Sequence, residues 1–274
     1  MLRTIDDASA LRAALASTAH LLIVGGGWIG LEVAASVRGL GVAATVIESA
    51  PRLCQRSVPE PFSHWLRALH ERHGVSFVMG KTVENVIDGE HHVGVLLDDG
   101  SSCIADRLLV CVGAVPHIAL AERAGLDVGN GIVVDESGRT SDPNIYAAGD
   151  VANFPCSFAG CATRRESWAN AQNQAIAVAK AALGQTICYS DLPWLWSDQY
   201  HHNIQIAGLP ERADKVVFTA GTEPLSGVWL SIDAEHQPCG AIGVDAPKAF
   251  RPVMKSLKNR NSIDVTGWES LDLR

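Results

Sequence analysis

The sequence predicts an α/β fold built around a parallel sheet, and three observations predict it. Residues 20–24 (HLLIV) are a short apolar run that ends at a glycine triplet. Leu31, Val33, Ala34, Ala35 and Val37 then recur on one side of a helical stretch that stops near Gly39 or Gly41. Residues 43–47 form a second apolar run that ends at Glu48. A strand, turn, helix and strand within about 30 residues is the unit that a right-handed parallel crossover builds, so the N-terminal domain reads as Rossmann-like.

The later elements follow from the same patterns. Phe62, Trp65, Leu66 and Leu69 have helical spacing over residues 60–72, and residues 75–79 and 83–87 read as strands. The turn dipeptides Asp88-Gly89 and Asp99-Gly100 bracket residues 92–97, which predicts antiparallel strands beside the parallel sheet. Residues 108–112, wholly apolar and closed by Gly113, read as a central parallel strand. Residues 140–151 (TSDPNIYAAGDV) read as a turn, a short strand and a Gly-Asp corner, followed by a loop and an Ala- and Gln-rich helix over 166–183. Beyond Pro193, residues 204–207, 216–219, 228–232 and 241–244 have the pattern of an antiparallel sheet, with a helix over 247–257 packed on it. The expected domains are 1–118, 119–190 and 191–274. Neither internal repeats nor low-complexity segments stand out.

Composition narrows the function. With 274 residues, 47% hydrophobic and 19% charged, the chain has the apolar material for a packed interior. Its apolar stretches are broken well before the roughly 20 residues of a membrane span, and MLRTIDDASALRAAL lacks an apolar signal core. The expected compartment is the cytoplasm. A net charge of -8 argues against a nucleic-acid surface. Seven cysteines at irregular spacings, with no CxxC, read as reduced structural thiols.

The chemistry is concentrated in Gly25-Gly26-Gly27-Trp28-Ile29-Gly30, which matches G-x-G-x-x-G between a buried strand and a helix. Gly25 suits the tight turn, Gly27 the close approach of a pyrophosphate and Gly30 helix-to-strand packing. Glu48 closes the next strand, near the offset of about 20 residues at which an acid meets the ribose 2′-hydroxyl. A carboxylate there favours NADH and repels the 2′-phosphate of NADPH; Arg52, four residues on, is the nearby group suited to a phosphate.

From these residues a resemblance opens. GGGWIGLEVAA (25–35), LRTIDDASALRAAL (2–15), CVGAVPHIALAERAGLDV (111–128), TSDPNIYAAGDVANFP (140–155), RRESWANAQNQAIAVAKAALG (164–184) and PWLWSDQYHHNIQIAGLP (193–210) resemble the FAD-dependent ferredoxin reductases that serve aromatic-ring dioxygenases, relatives of putidaredoxin reductase. It covers almost the whole chain. It implies a glutathione reductase-like architecture in which Gly25, Gly27, Trp28, Ile29, Gly30, Glu32, Glu48 and Gly113 hold NAD, with Glu32 at the nicotinamide end. Asp150 and Val151 would meet the ribityl chain of FAD, and Trp196 would lie beside the flavin ring. Read alone, Glu32 is a helix-surface acid in an ion pair, whereas Asp150 stands open between a flavin contact and an acid closing a turn after Gly149, and Trp196 between a flavin contact and a core residue.

In the resembling family a first FAD segment, with its own G-x-G-x-x-G, precedes the NADH domain. This sequence carries the motif once, and its first residues align with the linker entering the NADH domain. The expected architecture is therefore truncated: a Rossmann-like NADH domain, a partial FAD domain and a C-terminal α+β domain, as a shortened product, as a fragment of a longer reading frame, or as one half of a split protein whose partner is the N-terminal FAD segment.

Three further patterns have bland and functional readings. Cys156 and Cys161 have the C-x4-C spacing of a redox disulfide, but follow the Gly-Asp corner in an expected loop and read as structural. Lys248, Arg251, Lys255 and Lys258 fall on one face of the last helix, as a solvated face or as a docking surface for an acidic ferredoxin. His64, His70 and His73 do not converge on one metal ion and read as surface residues.

The function expected is transfer of electrons from NADH through FAD to a [2Fe–2S] ferredoxin feeding an aromatic-ring dioxygenase. No acid-base residue is required, because the flavin carries the chemistry. The alternatives are an NAD-binding remnant without independent flavin activity, and a disulfide or quinone reductase of the same architecture.

Overall fold

The computed structural model describes residues 1–90 and 92–271, so only the last three residues of the expected third domain lie outside it. Thr4 starts the first helix, α1 (Ile5–Leu15), through a capping box: its hydroxyl accepts from the Asp7 amide at 3.1 Å while the Asp7 carboxylate accepts from the Thr4 amide at 2.8 Å. The predicted crossover unit follows as β1 (His20–Val24), α2 (Trp28–Gly39) and β2 (Ala43–Glu48), then α3 (Glu60–Arg72) and β3 (Val75–Met79). A small antiparallel sheet of β4 (Val83–Asp88), β5 (Val93–Leu97) and β6 (Ser102–Ala105) precedes β7 (Arg107–Val110).

The parallel sheet runs β3-β2-β1-β7. The last predicted strand is therefore at an edge rather than in the centre. Its apolar run has another cause: both of its faces are covered. Leu109 packs into the core with Val33, Ala34 and Val37 of α2, while Leu108 faces the cluster of Leu22, Ile47, Val95 and Leu97 under the small sheet. The ladder stops at Val110, and Val112 is exposed.

After α4 (Ala119–Arg123) the chain forms β8 (Val128–Gly129), β9 (Gly131–Val133), β10 (Ala152–Cys156) and β11 (Cys161–Arg164), in the order β11-β10-β9-β8. The short strand expected within 140–148 is reduced to a lone bridge between Arg139 and Tyr146, and the Gly-Asp corner is a single 3-10 turn, Gly149–Val151. The expected loop after it is a β-hairpin, in which Cys156 pairs with Cys161. Pro155 hides this strand in the sequence, since proline cannot donate to a ladder. It is tolerated because β9 pairs only with Ala152 and Asn153. The predicted helix is α5 (Trp168–Ala182), capped by Ser167, whose hydroxyl accepts from the Asn170 amide.

The C-terminal sheet contains β12 (Trp194–Gln199), β13 (His202–Gly208), β14 (Lys215–Ala220), β15 (Gly227–Ile232) and β16 (Pro238–Val244). After α6 (Pro247–Asn259) it is completed by β17 (Glu269–Leu271), in the antiparallel order β12-β13-β16-β15-β14-β17. Alternation along its strands divides the side chains between two cores. Ile204, Ile206, Trp229 and Ile242 pack against Leu31 of α2 and Phe62 and Leu66 of α3, whereas Ala207, Val217, Leu230 and Ala241 pack against Phe250, Val253 and Leu257 of α6. The first of these cores seats edge strand β12 against α2, directly behind the Gly-rich turn.

Candidate functional site

Each glycine of the Gly-rich turn meets a different neighbour. Gly25 has φ +109, its amide donates to the Ile47 carbonyl at 2.8 Å, and a Cβ there would collide with the Cys111 carbonyl at the end of β7. A Cβ on Gly26 would lie 2.7 Å from Leu53 Cδ2, and one on Gly30 would strike the Gly25 carbonyl. Gly27 differs from all three: its φ of -84 suits any residue, and no protein atom lies within 4 Å of where its Cβ would be. A side chain at Gly27 would fill only the space in front of the α2 N-terminus.

That terminus is open. Gly27 is its N-cap and supplies no side-chain cap, and the first helical bond is Leu31 N to Gly27 O at 3.0 Å. The amides of Trp28, Ile29 and Gly30 therefore belong to the group of donors that a helix N-terminus leaves for an anion. Ile29 is exposed, and the buried Trp28 Nε1 has no partner among the described residues. Gly113, with φ +100, turns the chain after β7 on the far side of Gly25. Glu48 sits below the turn; its Oε2 accepts from the Gly26 amide at 2.6 Å and its Oε1 from the Ala50 amide at 2.7 Å. The Arg52 guanidinium turns back on its own loop, donating to the carbonyls of Val58 and Gln55.

Glu32, one turn into α2, is not the surface acid in an ion pair that it reads as in isolation. It is half-buried, and its Oε1 accepts from the Ser197 hydroxyl at 2.5 Å. Burial raises its carboxyl above the ordinary range, opposed by that hydrogen bond. Ser197 comes from β12, so this contact joins the C-terminal sheet to the helix of the Gly-rich turn.

Alternation along β12 puts Trp196 on the opposite face from Ser197. Trp196 is 39% exposed and meets Trp194 at 5.2 Å and Trp168, the first residue of α5, at 5.7 Å between ring centroids. It belongs to an open aromatic cluster rather than to the core. Asp150 follows Gly149, whose amide donates to Gln174 Oε1 of α5 at 2.8 Å. Among the described residues no donor reaches the Asp150 carboxylate, and partial burial, then Glu166, raises its pKa. Val151 follows it in the same turn. A free acceptor and a half-open aromatic platform, both flanking the N-terminal half of α5, fit the ribityl and ring portions of a flavin.

The remaining patterns resolve as follows. Cys156 is buried and Cys161 exposed, opposite one another in the hairpin, and both are free thiols, as are the other five. Lys248, Arg251, Lys255 and Lys258 all lie exposed on α6, away from Phe250, Val253 and Leu257. Of the three histidines, His64 is a surface residue 3.7 Å from Glu60, but His70 is fully buried, bonded to Gln199 and Tyr200, and His73 stacks on Tyr200. The surface expectation for His70 fails because it lies four residues after Leu66, on the apolar face of α3. Among the described residues no His, Cys, Asp and Glu group could hold a metal, and no helix is long and apolar enough to cross a membrane.

Sequence reasoning missed Ser197, Gln199 and Tyr200 altogether. The period of two in WLWSDQ sets Leu195, Ser197 and Gln199 on the face opposite the tryptophans but says nothing of what they meet, and Tyr200 follows the run.

Comparison with known proteins bears on the family and the fold. Residues 1–175 match the family model described as pyridine nucleotide-disulphide oxidoreductase, and residues 194–269 match the one described as reductase C-terminal. The chain is 44% identical over 208 residues to the ferredoxin--NAD(+) reductase component of the anthranilate 1,2-dioxygenase system of Burkholderia cepacia, covering 76% of this chain and 51% of that protein. It is 41% identical over 252 residues to a probable ferredoxin reductase, CtmF, of Castellaniella defragrans, covering 91% and 61%. The chain thus spans between half and two thirds of the length of these relatives. Among solved structures, the ferredoxin reductase for the CYP199A2 system of Rhodopseudomonas palustris superimposes with a TM-score of 0.92 at 33% identity, covering 99% of this chain and 68% of that one. The covalent putidaredoxin reductase–putidaredoxin complex gives 0.87 at 32% identity, covering 94% and 63%.

Proposed function

The chain belongs to the pyridine nucleotide-disulphide oxidoreductase family, and we propose that it is the NADH-binding and ferredoxin-facing part of an FAD-dependent ferredoxin reductase. The observation that carries the reading is Gly27: an unstrained glycine with empty space before it, at a helix N-terminus without a cap, is a place kept clear for a ligand. The N-terminal amides of α2 would receive the diphosphate of NADH, and Glu48 the ribose 2′-hydroxyl. Glu32 would orient the nicotinamide, and Gly113 would close the far wall. Asp150, with Val151, and Trp196 would hold the ribityl chain and the ring of FAD. When bound, FAD supplies acceptance of hydride and release of electrons one at a time.

The protein's contribution is position rather than acid-base chemistry. The relatives named for ferredoxin reduction support a ferredoxin as electron acceptor, and the anthranilate system supports a dioxygenase as its client; we take that ferredoxin to be of the [2Fe–2S] type and the dioxygenase to act on aromatic rings. The domain limits 1–118, 119–190 and 191–274, and a cytoplasmic setting, belong to the same reading.

An absorption spectrum of the purified chain, before and after NADH, tests it. Flavin bands that bleach on adding NADH are the expected result. A colourless protein that binds NADH would make it an NAD-binding remnant without flavin activity of its own, and one that binds neither would remove the reading.

A further inference from the structure

A line of side chains runs from the surface of α3 to Glu32. The Tyr200 hydroxyl lies 2.9 Å from His70 Nδ1, His70 Nε2 lies 2.7 Å from Gln199 Oε1, Gln199 Nε2 lies 3.1 Å from Ser197 Oγ, and Ser197 Oγ lies 2.5 Å from Glu32 Oε1. His70, Gln199 and Ser197 are each no more than 1% exposed. The line crosses three elements, α3, β12 and α2, and joins residues 165 positions apart in the sequence.

Chemistry fixes the direction of every hydrogen in it. An ionised carboxylate only accepts, so the Ser197 hydroxyl donates to Glu32 and takes the amide N–H of Gln199 on its lone pair. The Gln199 carbonyl oxygen is then turned to His70 and needs a donor, which makes His70 the tautomer protonated at Nε2. His70 Nδ1 is left as an acceptor, and the Tyr200 hydroxyl supplies it. Burial lowers the His70 pKa to about 4, so the ring is neutral near pH 7, as this tautomer requires. All four donors therefore point toward Glu32, and such aligned bonds polarise one another in a water-poor interior.

We propose that Ser197, Gln199, His70 and Tyr200 are positioning residues that hold the Glu32 carboxylate in one orientation for the nicotinamide end of NADH, so that the C-terminal sheet sets the geometry of the cofactor site. This rests on the reading of Glu32 given above. A chain that served only to satisfy buried polar groups would not need to end on a half-exposed acid beside the open end of α2. Here Oε1 of the carboxylate takes the chain, and among the described residues nothing hydrogen-bonds the other oxygen.

The test compares the dissociation constants of NADH and ADP-ribose, which lacks the nicotinamide, by fluorescence and calorimetry on the full chain. Ser197→Ala is expected to weaken NADH about tenfold, the loss of one hydrogen bond to a charged group, and to leave ADP-ribose unchanged. Ser197→Thr, which keeps the hydroxyl, is expected to restore the wild-type ratio. Tyr200→Phe, at the far end of the chain, is expected to shift the same ratio by about threefold and serves if Ser197→Ala does not fold. Unchanged ratios in both variants, with Glu32→Ala still selective against NADH, would overturn the relay and leave the role of Glu32 standing. If Glu32→Ala itself does not alter the ratio, the nicotinamide reading of Glu32 falls and the relay proposal falls with it.

Discussion

The Glu48 carboxylate is bound to the amide of Gly26 by a 2.6 Å hydrogen bond, so the acid that ends β2 braces the second glycine of the turn beside it. Its other oxygen holds the Ala50 amide at 2.7 Å. One side chain thus shapes the loop and places a negative charge at its rim. Hydrogen bonds to a charged group contribute about 1.5–3 kcal/mol each, and Glu48→Ala removes these two and a longer third, from the Ser49 hydroxyl at 3.3 Å. NADH affinity should fall by at least tenfold in that variant, and NADPH affinity by much less, because the repulsion of a 2′-phosphate disappears with the carboxylate. Fluorescence titration with both nucleotides measures the ratio, and an unaltered ratio would remove Glu48 from cofactor choice.

Gly27 and Gly30 make a paired prediction. Gly27→Ala places a methyl in open space and should cost under about 1 kcal/mol of stability, the range of a weakened helix N-cap. Its effect should appear in NADH affinity. Gly30→Ala drives a methyl into the Gly25 carbonyl and should cost about 1–3 kcal/mol, as overpacking does. Urea unfolding separates the two. Equal stability losses would show that Gly27 is kept for the fold and not for a ligand.

The contrast between these glycines also marks what the sequence discloses. The β1–α2–β2 unit is legible because its hydrophobic periods, its turn and its closing acid all lie within one local stretch. The edge position of β7 is not, since an apolar run reports coverage of both faces and not the number of neighbouring strands. Hairpin β10–β11 is masked by Pro155, whose tolerance depends on how far β9 extends. Ser197 carries no local sign of its role, because its partner Glu32 is brought to it only by the packing of β12 on α2. His70 could have been read: its place four residues after Leu66 puts it on the buried face of α3, yet two neighbouring histidines on the surface side drew the reading outward.

His70 makes stability depend on pH. Its folded pKa of about 4 lies below the ordinary 6.5, because burial disfavours the charged ring. The unfolded chain therefore takes up the proton first as pH falls through 6.5, and the folded state loses ground until about pH 4, where it too is protonated. Between pH 7 and pH 5 this one group should remove about 2 kcal/mol. Urea midpoints across that range, compared with those of His70→Gln, isolate it. The variant should show a shallower decline, and parallel declines would mean that His70 is hydrated and titrates normally.

The basic face of α6 leads to the last prediction. Lys248, Arg251, Lys255 and Lys258 stand exposed on one side of the helix, while its other side is anchored by Phe250, Val253 and Leu257. On a chain of net charge -8, such a cluster is a local positive field suited to an acidic partner. Electrostatic steering acts on the association rate and decays with salt. In the flavin-loaded protein, Lys255→Glu with Lys258→Glu should slow reduction of an acidic [2Fe–2S] ferredoxin by about tenfold or more at low ionic strength and by much less near 0.5 M salt, where the Debye length is only about 4 Å. Reduction of ferricyanide, a small anion that needs no docking face, should change far less. Stopped-flow traces over a salt series measure both. A charge reversal that leaves the ferredoxin rate unchanged at low salt would return the four residues to a plain solvated face.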